Sequence, residues 1–168
     1  MHCSRVHARW VRRFAVAAML TAGFAGASAL AEESGKWRGQ AALVITAVKE
    51  VKVADQNNHQ VSMTEFDGIV FSAGEKPFLD KARYQVVDLY DSGGMISGGY
   101  KTFTAEDGSQ VFAKYEVLGG ASPTYNGKWS FVGGTQKFKG ISGNGTFTIT
   151  WTSDTTAWDI LEGDYKIP

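Results

Sequence analysis

The chain carries very little sulfur or imidazole. Among 168 residues there are one cysteine, three histidines and three prolines, and 17 basic side chains are balanced by 17 acidic ones. The cysteine, Cys3, and two of the histidines, His2 and His7, lie within the first ten residues, inside a segment that reads as a removable leader. Without them no disulfide, thiolate nucleophile, redox pair or cysteine-rich metal site can form. His59 is then the single imidazole. It sits in the turn-forming stretch Asp55-Gln56-Asn57-Asn58-His59-Gln60, which argues against a Ser-His-Asp relay. A zinc site would need several imidazoles.

The leader is read from residues 1–31. Arg5, Arg9, Arg12 and Arg13 precede an unbroken small and apolar run from Phe14 to Ala27, and Ala29-Leu30-Ala31 supplies a small-x-small cleavage pattern followed by Glu32-Glu33. The run is short and rich in alanine and glycine for a membrane span of about 20 residues. Cys3 precedes it, so it is not the lipidated cysteine that follows a leader. The expectation is export, with cleavage after Ala31 and a periplasmic or secreted location. Removing the four arginines leaves 13 basic and 17 acidic side chains, a formal charge of −4. A mildly acidic domain without a Lys/Arg cluster has no electrostatic footprint for nucleic acid or for an anionic membrane.

What remains is glycine, aromatic and β-branched. Residues 32–168 hold 18 glycines and 18 aromatics. Short runs of about 8–12 residues alternate with turn dipeptides, the pattern of an all-β sandwich or barrel. No helical periodicity follows the leader. No Pro/Ser linker, low-complexity segment or repeat divides the chain, so 32–168 is expected to be one domain. Eight strands are predicted, near 41–53, 61–72, 82–90, 96–105, 110–118, 128–132, 145–152 and 158–167. Asp107-Gly108 is a hairpin signal between the fourth and fifth, and Asn126-Gly127 introduces the sixth.

Alternation assigns faces to these strands. Phe147, Ile149 and Trp151 share one face of the seventh strand, opposite a row of threonines. Val111, Ala113, Tyr115 and Val117 share a face of the fifth, and Trp129 and Phe131 of the sixth. Closing the sheet into a barrel turns the apolar set inward and removes the edges. Eight strands enclose either a packed core or room for one small ligand.

One segment resembles a known family. Trp129-Ser-Phe-Val-Gly133-Gly134-Thr135-Gln136-Lys-Phe138-Lys-Gly140-Ile-Ser-Gly143-Asn-Gly145-Thr146-Phe147 is similar to the glycine-rich hairpin of allene-oxide-cyclase-like and dirigent-like barrels. Those carry a variant of Gly-Gly-Thr-Gly-Lys-Phe. Gly99-Tyr100 through Asp107-Gly108, with Val111-Phe112, resembles the preceding hairpin in small bacterial secreted members. Gln136 stands where the motif has its third glycine, a departure that bears on the turn and leaves the barrel possible. The resemblance covers roughly residues 99–150. It implies a single eight-stranded antiparallel, calycin-like barrel, often trimeric, with an apolar cavity. The best-known members guide cyclisation or coupling of reactive apolar substrates. It brings no catalytic residue onto this chain.

Glycine motifs offer no phosphate chemistry. Gly143-Asn-Gly145 lacks a third spaced glycine and leads into a strand, and there is no Gly-Lys-Ser/Thr. A calcium loop centred on Gly108 would begin at Phe103 and end at Lys114, which are not oxygen donors of the required kind. No cofactor or metal is expected.

Candidate site residues come from carboxylates among apolar neighbours and from aromatics. Alternation groups Glu65 with Val61, Met63, Asp67, Ile69 and Phe71, Asp88 with Tyr84, Val86 and Tyr90, and Glu162 with Trp158 and Ile160. If those faces point inward, Glu65, Asp88 and Glu162 approach the cavity, where burial raises their pKa values and suits one of them, Glu65 or Asp88 first, to general acid or base work. A bulge near Gly68 would instead flip the second strand and leave its carboxylates in solvent. Tyr115, Trp129, Phe147, Trp151 and Trp158 are candidate ligand contacts, the alternative for each being plain core packing. Three functions stay open: binding of a small apolar molecule in the cavity, cofactor-free isomerase or cyclase chemistry there, or a solidly packed barrel with a structural or interaction role.

Overall fold

The computed structural model describes residues 32–73, 77–94 and 97–168. The expected leader, residues 1–31, lies outside them. The described residues form eight antiparallel strands and one short 3-10 turn: β1 Glu33–Lys52, β2 Gln60–Ser72, β3 Arg83–Asp91, β4 Ser97–Thr104, β5 Gln110–Ala121, β6 Thr124–Gly134, the turn Gln136–Phe138, β7 Ser142–Trp151 and β8 Thr156–Ile167. Each strand pairs with its neighbour in sequence, and β1 pairs with β8 from Glu33 opposite Ile167 to Val44 opposite Thr156, which closes the barrel. No described helix is long and apolar enough to cross a membrane.

Closure explains why β1 begins eight residues before its expected start at Ala41. Residues 33–40 carry little apolar periodicity of their own, and they become strand because the β8 edge satisfies their backbone groups. β6 is also longer than expected. Ala121 pairs with Thr124, so Ser122-Pro123 makes the turn and Asn126-Gly127 runs inside the strand. A side chain at Gly127 would strike the Glu116 carbonyl and the Phe147 ring.

One half of the barrel is filled by aromatic rings. Trp37 meets Phe78, Phe103 and Trp129 edge-on at centroid separations of 5.5, 5.6 and 5.5 Å, and Phe78 stacks on Tyr165 at 4.0 Å. Edge-to-face and offset contacts suit the ring quadrupoles. Glycines make room for this packing. Gly145 and Gly163 face each other across β7 and β8, and a Cβ on either would lie 2.7 Å from the Trp129 indole.

The two faces expected to point inward on the second and eighth strands point outward. On β2 the interior receives Phe66 and Val70, while Ile69 and Phe71 are about half exposed. A register shift between Ile45 and Ala47 interrupts the β1–β2 ladder. On β8 the interior receives Ala157, Asp159 and Leu161, while Trp158 is exposed. Both strands carry apolar residues on each face, so alternation alone was ambiguous and pairing decided.

Gln136 occupies the glycine position of the motif with φ 49°, in the left-handed region. Its side-chain Oε1 accepts a hydrogen bond from Ser109 Oγ at 3.3 Å. A Cβ there is disfavoured by about 1 kcal/mol. In urea denaturation, Gln136→Gly is therefore expected to be more stable than Gln136→Ala by about 1 kcal/mol; equal midpoints would show that the turn is not strained.

Candidate functional site

The other half of the barrel is hollow. Inward positions nearest the β1–β2, β3–β4, β5–β6 and β7–β8 connections enclose a cavity of about 370 Å³, within the range of about 300–1,000 Å³ typical of small-molecule sites. Leu43, Phe66, Val86, Val117, Phe147, Ile149 and Trp151 give it apolar walls. Ser62, Asp88, Tyr90, Ser97, Lys101, Tyr115 and Tyr125 add polar groups.

Beneath it lies a buried charge pair. Lys101 on β4 and Asp159 on β8 are 2% and 0% exposed, and Lys101 Nζ lies 2.8 Å from Asp159 Oδ2. The Tyr84 hydroxyl donates to the same Oδ2 at 2.7 Å and accepts from the Lys101 ammonium. Burial, then the neighbouring Asp159 charge, push the Tyr84 phenol well above its ordinary pKa, so it stays a neutral donor. The Tyr84 ring stacks on Phe103 at 4.7 Å, joining this layer to the aromatic half. The ammonium also lies 4.7 Å from the ring centroids of both Tyr115 and Phe147, within cation–π range. Only Lys101 of the pair reaches the cavity lining. Removing one partner would strand a buried charge, typically at a cost of about 3–5 kcal/mol.

On the wall, the Tyr115 hydroxyl donates to Asp88 Oδ1. Burial raises the Asp88 pKa, opposed by the Tyr115 hydrogen bond and by the Lys101 charge. Burial, then Asp88, raise that of Tyr115. The arrangement can hold or move a proton at Asp88 Oδ2, which has no hydrogen-bond partner among the described residues.

At the same end, His59 links its own β1–β2 connection to the end of β3: Nδ1 lies 2.5 Å from Asp55 Oδ1 and Nε2 lies 2.7 Å from Asp91 Oδ1. The hydrogen bond to Asp55, then that to Asp91, raise the imidazole pKa above 6.5. Its stabilising charge is thus present below pH 6.5 and is lost as pH rises through the raised value. His59 acts as a clasp of the β1–β2 connection onto the end of β3.

Of the residues singled out from the sequence, Asp88, Tyr115, Phe147 and Trp151 line the cavity together. The others lie elsewhere. Trp129 is buried in the aromatic half, its indole N–H donating to the Thr146 carbonyl at 3.0 Å. Trp158 is 38% exposed on the outer wall. Glu65 is exposed on the outer face of β2, which corrects its expected inward placement. Glu162 is likewise outside, paired with Arg38 at 3.2 Å. The sequence reading missed Lys101 and Asp159. Their signal was a lone charge on each of two otherwise apolar faces, Lys101 two residues before Phe103 and Asp159 between Ala157 and Leu161. Opposite signs on two such faces mark a candidate buried pair. No described group of three or more His, Cys, Asp or Glu residues is placed to hold a metal ion.

The raised Asp88 pKa fixes a sign. Stability from its held proton is complete below the ordinary value of 3.8 and is lost as pH rises through the folded-state value. Asp88→Asn abolishes this titration. Its urea midpoint relative to the unsubstituted protein should therefore shift in the variant's favour between about pH 4 and pH 7. A pH-independent difference would show that Asp88 titrates alike in folded and unfolded chains.

No protein-family model matches the chain, and no curated protein matches it in sequence. Solved structures do. The chain is similar to the pterocarpan synthase dirigent protein GePTS1, with a TM-score of 0.50 and 15% identity over 82% of this chain and 86% of that one. It also aligns with the pterocarpan synthase dirigent protein PsPTS1, with a TM-score of 0.41 and 14% identity over 80% of this chain and 95% of that one. With the closed eight-stranded antiparallel sheet, the first of these likenesses shows that the chain has the dirigent-like β-barrel fold.

Proposed function

We propose that this protein is an exported small barrel that binds a small apolar molecule in its cavity. The observation that carries the reading is the half-filled interior. Rings pack one end solidly, while at the other end a cavity of about 370 Å³ is left between apolar walls with a few convergent polar groups. Affinity would come chiefly from burial, at about 25 cal/mol per Å² of apolar surface less the ordering costs. The arginine-then-apolar pattern of residues 1–31 supports export to the periplasm or medium.

A cofactor-free isomerase or cyclase is the second reading, favoured by Asp88 on the cavity wall with a raised pKa and a tyrosine bonded to it. A pterocarpan synthase has the same fold. Glu65 has no part in this reading, being outside the barrel. In it, Asp88 moves the proton of a substrate held by the same walls.

Binding is tested with the apolar fluorophore N-phenylnaphthylamine. The unsubstituted protein should enhance its emission saturably. Val117→Trp, which fills the cavity, should weaken binding at least about tenfold, and Trp158→Ala on the outer wall should leave it unchanged. The opposite pattern would place the site on the outer surface and sink the cavity reading. For the second reading, substrate recovered with the purified protein should be turned over by the unsubstituted chain and not by Asp88→Asn, with fluorophore binding retained. Unchanged turnover in that variant would remove Asp88 from the chemistry.

A further inference from the structure

The cavity presents two polar groups with unequal roles, and both have capacity left over. A lysine ammonium has three donors. Tyr84 and Asp159 take two of those of Lys101, and no other described oxygen accepts the third. The charge sits at the cavity lining, 4.7 Å from the centroids of both the Tyr115 and Phe147 rings. Asp88 accepts from Tyr115 through Oδ1, and its Oδ2 has no described partner. One end of the cavity therefore lacks an acceptor and its wall lacks a donor.

Charge narrows the choice. Among the described residues, the charged groups at or just beneath the lining are Lys101, Asp159 and Asp88, one cation and two carboxylates. An anionic ligand would add to a negative or balanced set inside a low-dielectric wall, and a cationic one would meet the Lys101 ammonium. A neutral ligand avoids both. The walls favour flat apolar area, since Phe66, Phe147 and Trp151 supply ring faces and edges.

Resting on the cavity-binding reading above, we propose that the site selects neutral aromatic molecules bearing both a carbonyl oxygen, taken by the Lys101 ammonium, and a hydroxyl group, donated to Asp88 Oδ2. Lys101 is then a specificity residue, held in place by Tyr84 and Asp159. The pair is oriented before any ligand arrives, so the carbonyl meets a fixed donor without ordering cost.

Four probes of one shape separate the contributions: para-hydroxybenzophenone, benzophenone without the hydroxyl, para-hydroxydiphenylmethane without the carbonyl, and the anion para-benzoylbenzoate. Each is titrated as a competitor of N-phenylnaphthylamine. The hydroxy ketone should displace it at a concentration at least about tenfold lower than either molecule lacking one group, and the anion should be the poorest competitor. Lys101→Met with Asp159→Leu removes the ion pair without stranding a charge. This double variant should lose the preference for the carbonyl and keep that for the hydroxyl. Asp88→Asn should do the reverse. If the double variant fails to fold, as judged by circular dichroism, the ranking on the unsubstituted protein and on Asp88→Asn still decides. Equal displacement by all four probes, or a carbonyl preference that survives the double substitution, would overturn the proposal while the fluorophore still binds. Absence of fluorophore binding would instead overturn the cavity reading itself.

Discussion

A lysine and an aspartate inside an apolar barrel must meet each other, and much of this molecule is arranged so that they do. Lys101 lies on β4 and Asp159 on β8, strands with no shared ladder. Their contact therefore spans the interior. Tyr84 on β3 joins them through one hydroxyl, acting as donor to Asp159 and acceptor from Lys101. The cost of burying both charges is high, and it is offset only because the geometry is close and the phenol adds hydrogen bonds. Among the described residues Asp159 Oδ1 has no partner, so the compensation there is incomplete. An incompletely compensated charge pair is weak evidence for stability.

The layer formed by this pair divides the barrel. On one side Trp37, Phe78, Trp129 and Phe131 fill the space ring against ring. On the other, the side chains line the wall without meeting across it and leave the cavity. A uniformly packed barrel would be more stable, and a fully hollow one would lose its core. The division packs one end and leaves the other open, with Lys101 on the cavity side of the boundary and Tyr84 joining the layer to the packed end.

Some of this was legible in the residues. The eight strands, the inward faces of the third, fifth, sixth and seventh, and the glycine-rich hairpin could be read from alternation and turn chemistry. The placement of Asp88 on an inward face followed from Tyr84, Val86 and Tyr90 sharing its period. The second strand was misread because Ile69 and Phe71 offer as good an apolar face as Phe66 and Val70. The eighth was misread because Trp158 and Ile160 offer an apolar face, while the face that is buried, Ala157, Asp159 and Leu161, carries a charge. An isolated strand does not separate these faces: on the second, pairing decides, and on the eighth, a cation arriving from another strand.

The sequence by itself determined the class of fold, the absence of cysteine and multi-histidine chemistry beyond the leader-like segment, and the periodicity that makes most strands one-sided. These are local properties, fixed by side-chain size, backbone freedom and a period of two. Tertiary structure alone decided which faces of β2 and β8 are inside, that β1 extends back to Glu33, and that the interior is half filled. Those depend on pairing register and on charges meeting across the barrel, between residues 58 positions apart in the case of Lys101 and Asp159; a lone charge on an apolar face can flag each residue, but only the closed barrel brings the two together.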